Sequence, residues 1–285
     1  MTSAFSPGHV TCFFRPVSSL DPLSAGSVGA GIRINLGTTV TVKFASGKPV
    51  TEIDGVTVEG RIVRRVVETL DSDNKYDITV EHDLPVGQGF GMSAADAVAA
   101  ALCTCHLTGK DMSEGFRAAH TADLLEGGGR GDVAGIMCRC RQPVRTVAGI
   151  PPFGKVRDSF VPIERITLFT LGPPIDTKSV LSDRDIVSKI RKAGAKAAEN
   201  YLKDISLKTL FDISNKFSEA AGLRNDEIND AIKILKDKRH MAAMCMLGNS
   251  MFTTAPEEAV RELIGDVWMT SCKATNEEAR ITRIT

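Results

Sequence analysis

Pro85-Val86-Gly87-Gln88-Gly89-Phe90-Gly91-Met92-Ser93-Ala94-Ala95 is the stretch on which the reading of this chain turns. Upstream of it, Ile78 and Val80 alternate with polar residues as a strand does. Downstream, an alanine-rich run from Ser93 to Leu107 sets Val98, Ala101, Leu102 and Cys105 on one helical face, and Gly109 stops it. A strand therefore feeds a glycine loop, and the loop feeds a helix. Glycines at 87, 89 and 91 leave backbone N–H groups unobstructed by any Cβ. The helix N-terminus adds unpaired donors and a partial positive charge at the same point, which suits phosphate. Ser93 stands where its hydroxyl can cap the helix or reach a magnesium ion on the phosphates. The plainer alternative is a glycine-rich hairpin with a serine cap. Two familiar phosphate loops are excluded. No lysine precedes Ser93, as the P-loop requires. The dinucleotide fingerprint needs a strand next, whereas another helix is expected from Ser113, read as its cap, to about Leu125.

Outward from that stretch, strands are expected at Ile32, Ile34, Leu36 and at Val40, Val42, Phe44, with Gly26, Gly29 and Gly31 marking a turn before them. Val56 and Val58 suggest a further strand, followed by a helix over 62–70. Past Gly127-Gly128-Gly129 an apolar segment, strand or helix, reaches Cys138. Pro143, Pro151, Pro152 and Gly154 thin out regular structure, so a boundary is expected near residue 155, giving units 1–155 and 156–285. The second unit should open with a strand over 166–171, then helices starting near Ser182, Ser206 and Asn225. Leu207, Leu210, Phe211, Ser214 and Phe217 form the stripe of the middle helix, ended by Gly222. The methionines of 241–247 read as core, and 260–271 as a helix running into a strand.

Composition narrows the function classes. Of 285 residues, 42% are hydrophobic, and 35 basic side chains balance 35 acidic ones. A neutral chain lacks the basic excess by which nucleic-acid binders neutralise phosphates, and it has no basic tail for a membrane surface. The seven cysteines include Cys103/Cys105 and Cys138/Cys140, neither with the C-x-x-C spacing of a zinc or redox site. They read as buried thiols in a reducing cytoplasm. No apolar run reaches the roughly 18 residues that span a bilayer, and residues 1–14 lack a signal-peptide pattern.

With the known phosphate loops set aside, the motif P-V-G-Q-G-F-G-M-S-A resembles the second motif of the GHMP kinase superfamily, the galacto-, homoserine, mevalonate and phosphomevalonate kinases. Phe90 and Met92 stand where leucine and serine are commoner there. The N-terminal Ser6-Pro7-Gly8-His9 is similar to that superfamily's A-P-G-K segment, with histidine for lysine. Together with Asp21-Pro22 and Gly26-Ser27-Val28-Gly29-Ala30-Gly31 it resembles one branch, the archaeal pantoate kinases of coenzyme A biosynthesis. The resemblance runs through residues 1–135 and beyond them rests on size and layout. The third superfamily motif, G-x-G-x-G-G, has only Leu247-Gly248-Asn249-Ser250 as its counterpart.

What the resemblance implies is specific. The expected fold is α+β and two-domain, a two-layer β/α unit carrying the phosphate loop and a helix-rich α/β sandwich. Pro85, Gly87, Gln88, Gly89, Phe90, Gly91, Met92, Ser93 and Ala94 would hold ATP. Ser93 and Asp123 would bind Mg2+, with Glu126 as a rival ligand one helical turn on. Asp132, with Ser93, would be the catalytic pair, Asp132 facing the acceptor hydroxyl. His9, Ser27, Arg15, Arg33 and Arg130 are the candidates for holding the acceptor, since imidazole and guanidinium both pair with carboxylates. The expected substrates are ATP and pantoate, with no nucleic-acid or membrane partner, and a homodimer is left open. Another small-alcohol kinase of the homoserine or mevalonate class is the nearest alternative. A non-catalytic nucleotide- or nucleic-acid-binding module is the alternative of another class.

Overall fold

Two long strands set the frame of the computed structural model, which describes residues 1–285. Strands β1 (Thr2–Val17) and β2 (Gly26–Phe44) run antiparallel, side by side. Ala4, Val40 and Val42 belong to one hydrophobic core, whereas Val10, Phe13, Phe14, Ile32 and Ile34 belong to a second. The same strand pair thus threads both. Irregularities at Pro7/Gly8 and Thr11/Phe13 bracket the crossing point, and bulges of this kind bend a strand and re-aim its side chains. His9 and Thr11 sit there, two apart on one strand and so on one face. The glycines expected to form a turn lie instead inside β2. A Cβ at Gly29 would overlap the Phe13 carbonyl, and one at Gly31 would overlap the His9 ring. Close approach to β1, not chain reversal, is what requires Gly29 and Gly31, while Gly26 is pressed by Arg130 O and Gly149 N.

The first layer continues with β3 (Thr51–Ile53), β4 (Val56–Thr57), α1 (Arg61–Leu70) and β5 (Tyr76–His82). Then come α2 (Met92–Thr108), α3 (Met112–Leu125), the short α4 (Asp132–Met137), β6 (Pro143–Val147) and β7 (Lys155–Asp158). Helix α2 is apolar on nearly every side because it is covered by the sheet and by α1 and α3. Its alanines leave room for that close packing. Helix α3 is capped by Asp111, which accepts from Ser113 N at 2.7 Å, rather than by Ser113 itself; such a cap contributes about 1 kcal/mol.

The second layer holds β8 (Arg165–Thr170), α5 (Thr177–Ser182), α6 (Arg184–Lys203), α7 (Leu207–Ala220), α8 (Asp226–Asp237), β9 (Ala242–Met244), β10 (Ser250–Thr253), α9 (Glu257–Ile264) and β11 (Met269–Lys273). Ser206 and Asn225 cap α7 and α8 where the sequence placed their starts. Its sheet runs β11-β8-β10-β9, antiparallel throughout. A final strand, β12 (Arg280–Ile284), returns to the first sheet and pairs with β1. That sheet has the order β12-β1-β2-β5-β3-β4, with β6 also on β2 and β7 on β6.

Candidate active site

A cavity of about 450 Å³ lies between the layers. One wall is the loop from Pro85 to Ser93, another the turn from Gly127 to Asp132, and α5 and Met246-Leu247 close it from the second layer. The loop's shape depends on two positions above all. Gly89 and Gly91 have φ of 72° and 74°, a region that side-chain-bearing residues rarely adopt. A Cβ would also lie 2.7 Å from the Met246 carbonyl at Gly89 and 2.6 Å from the His9 carbonyl at Gly91. Hydrogen bonds pin the loop from three sides. His9 N donates to Phe90 O at 3.1 Å, Ile175 N to Gly87 O at 2.8 Å, and Ser250 Oγ to Gln88 O at 2.5 Å. The segment 247–250, so unlike the third superfamily motif, is therefore the clamp behind the glycine loop.

Not every loop side chain faces the cavity. Gln88 is buried and donates to Gly172 O at 2.9 Å. The Phe90 ring stacks 5.9 Å from Trp268, and Ala94 is buried in α2. Besides the Met92 and Ser93 side chains, what the loop offers to a ligand is its backbone and the open end of α2, since Gly91 provides no side-chain cap.

Two carboxylates stand beside it. Asp123 is buried and accepts from Ser93 Oγ at 2.9 Å. Burial, then the charge of Asp132, pushes its pKa well above the usual carboxylate range. It has no cationic side chain as partner. Glu126, the rival, is bound up with Arg65 at 2.5 Å. Ser93 and Asp123 thus place two oxygen donors together, but Asp123 lies beneath the Gly128 turn and does not itself line the cavity, whereas Ser93 and Glu126 do.

The glycine run between the carboxylates has a steric cause that its sequence does not announce. A Cβ at Gly128 would overlap Asp123 Oδ1, and one at Gly129 would overlap Asp132 Oδ2. The turn passes directly over both groups.

Asp132, the first residue of α4, accepts from Thr11 Oγ1 at 2.9 Å and from His9 Nδ1 at 2.6 Å. His9 is wholly buried, with its ring flanked by Gly31 and Gly135. Arg145 Nη1 lies 3.4 Å from His9 Nε2. A guanidinium can only donate, so the hydrogen-bond network assigns the single imidazole proton to Nδ1, facing Asp132. Burial lowers the His9 pKa, and the nearby Arg145 and Arg33 charges add to that effect; the ring is neutral. Burial alone would raise the Asp132 pKa, but the donors His9 and Thr11 and the Arg145 charge hold it below the ordinary value. An ionised carboxylate at the cavity wall, 15% exposed, can accept a hydrogen bond and then a proton.

Of the expected acceptor-binding residues, Ser27 and Arg130 line the cavity. His9 does not touch it, and its whole polar capacity is spent on Asp132 and Arg145. Arg33 is buried elsewhere, donating to the carbonyls of Cys140 and Glu277. Arg15 is exposed near the far end of β1, opposite Val28. The residue that sequence reasoning missed is Arg145. It is 1% exposed, lines the cavity, and its Nε has no partner within the protein. Gly131 makes room for it, since a Cβ there would lie 2.6 Å from that Nε and overlap Ser27 Oγ. The only local signal was an arginine inside a short strand that opens on Pro143 and is otherwise uncharged.

A glycine loop leading into a buried helix, with two carboxylates across from it, is the arrangement expected of a small-molecule kinase of the GHMP class, and the comparisons with known proteins agree. Residues 60–139 match the model of the GHMP kinases N terminal domain. The chain is 31% identical to the pantoate kinase of Thermococcus kodakarensis over 93% of this chain and 92% of that one. It is 27% identical to the pantoate kinase of Methanocaldococcus jannaschii, over 91% and 95%. A solved structure described as a phosphotransferase related to the CoA biosynthesis pathway superposes with a TM-score of 0.86 at 30% identity, covering 99% of this chain and 98% of that one. The chain belongs to the pantoate kinase family of the GHMP kinases.

Proposed function

We propose that this protein transfers the γ-phosphate of ATP to the primary hydroxyl of pantoate, giving 4-phosphopantoate and ADP for coenzyme A biosynthesis. The observation that carries the reading is the buried row Arg145–His9–Asp132, which sets a buried guanidinium and an ionised carboxylate side by side at one cavity. The acceptor has matching ends, a carboxylate and a primary alcohol. Arg145, with Ser27 beside it, takes the carboxylate, and a guanidinium grips that group through paired N–H donors. Asp132 takes the hydroxyl proton and holds the oxygen in line with the phosphate. Phe14 and Met92, which also line the cavity, supply apolar surface for the two methyl groups between those ends.

The loop amides and the α2 N-terminus bind the phosphates of ATP, with Ser93 and Asp123 holding Mg2+. The ion would neutralise charge on the transferring group. The work of the chain is then mainly positioning and electrostatic preorganisation. His9 acts through Asp132, fixing its direction and keeping it ionised. Units 1–155 and 156–285 carry the nucleotide and closing functions in this reading, with β12 returning to the first. Free cysteines throughout and the lack of any helix long and apolar enough to cross a membrane support work in the cytoplasm. Asp132→Asn tests the assignment. It should lower kcat by roughly 10²–10⁴-fold with little change in the KM for ATP. Wild-type turnover by this variant would remove Asp132 from the mechanism.

A further inference from the structure

Cys138 and Cys140 are the only two of the seven cysteines whose sulfurs hydrogen-bond each other, with Sγ atoms 2.8 Å apart. The C-x-C spacing would not ordinarily bring them together, but the backbone does so here. Cys138 is the C-cap of α4, and Cys140 N donates to Cys138 O at 2.8 Å, which folds the intervening residue into a tight turn. Both side chains then point the same way. They differ in access, since Cys138 is half-buried and Cys140 is 3% exposed. The buried guanidinium of Arg33 lies against the pair, donating to Cys140 O, and its Nε has no partner. A fixed cation without a full set of acceptors favours a nearby thiolate.

We propose that Cys138 and Cys140 form a reversible intrachain disulfide at the end of α4, with Cys138 as the attacking thiol and Cys140 as the resolving one. The oxidant is a low-molecular-weight disulfide. The Cys138 thiolate attacks one of its sulfurs, breaking that S–S bond and expelling one thiolate, and a mixed disulfide forms on Cys138. Cys140 gives up its proton to the released thiolate and attacks Cys138 Sγ. The Cys138–Cys140 bond forms as the second small thiolate leaves and is protonated from solvent. Two protein thiols are oxidised and one small disulfide is reduced to two thiols. The S–H···S contact and the cation beside it support this order, for they lower the pKa of Cys138, while sharing that proton and burial raise that of Cys140.

The test exposes the full chain to glutathione disulfide, followed by intact-mass measurement and peptide mapping. The expected result is a mass lower by two hydrogens, a crosslink within 138–140, loss of two of the seven titratable thiols, and full reversal by dithiothreitol. Cys140→Ser should instead accumulate a stable glutathione adduct on Cys138, and Cys138→Ser should show neither adduct nor crosslink at this site. A native chain that keeps all seven thiols would overturn the proposal. So would one that retains a glutathione adduct on Cys138 without closing the bond. Mapping of the native chain decides the matter even if a variant fails to fold.

Discussion

Replacing His9 with alanine removes the donor 2.6 Å from Asp132 and the acceptor facing Arg145, while Thr11 stays in place at 2.9 Å. A hydrogen bond to a charged group contributes about 1.5–3 kcal/mol. Asp132 loses that support only in its ionised form, so its pKa rises. Its folded pKa lies below the ordinary value, so the change brings protonation closer to working pH. The acid limb of the pH–rate profile should therefore move to higher pH, with kcat falling about 10- to 150-fold on the limb. The KM values for ATP and acceptor should stay near the parent's, because His9 does not reach the cavity. His9→Asn carries an amide N–H close to the position of Nδ1 and should recover part of the rate. His9→Gln extends toward the Nε2 position, facing Arg145, and should not. Steady-state rates with coupled ADP detection across pH measure this, with thermal melts alongside to separate instability from lost chemistry. An unchanged acid limb with a raised acceptor KM would refute the reasoning and make His9 a direct acceptor contact.

Arg145→Met should raise the acceptor KM roughly 10- to 150-fold while sparing the KM for ATP; Arg15→Ala, at an exposed site outside the cavity, should leave both alone, and steady-state kinetics reads both. A separate test concerns His82, which bridges Asp54 at 2.8 Å and Asp96 at 2.9 Å and so ties β5 to α2. Burial alone would lower its pKa, but Asp96 and then Asp54 raise it to about 9. A raised pKa gives stability that is fully present below the unfolded value near 6.5 and is lost as pH rises through 9. After solvent screening that contribution is about 1–2 kcal/mol. Denaturant midpoints from pH 6 to 10 should fall in the parent and stay flatter in His82→Gln; parallel curves would remove the bridge from the stability account.

What the sequence made legible was local. The strand, glycine loop and helix around Pro85–Ala95 are contiguous, so alternation, glycine spacing and helical periodicity reveal them together. Ser93 and Asp123 could be set beside each other because both lie on regular helices whose order is readable, and their side chains meet at 2.9 Å. The row His9–Asp132–Arg145 was hidden, for its members stand 123 and 136 residues from His9 along the chain. Nothing local distinguishes an arginine that enters a cavity, such as Arg145, from one that binds carbonyls, such as Arg33. Gly29, Gly31, Gly128 and Gly129 were visible as glycines, yet their reason is a tertiary approach to another strand or to a carboxylate. The strand β12 escaped because a short, charge-rich edge strand carries little periodic signal.

The reaction proposed for the cavity is phosphorylation of an alcohol bearing a carboxylate that Arg145 can grip. Its most direct measurement is ADP release from ATP with pantoate, homoserine and mevalonate compared under identical conditions, with the phosphorylated product identified by mass. The highest kcat/KM is expected with pantoate, with a product phosphorylated at the primary hydroxyl. Faster turnover of homoserine or mevalonate, or ADP release that ignores pantoate altogether, would contradict it.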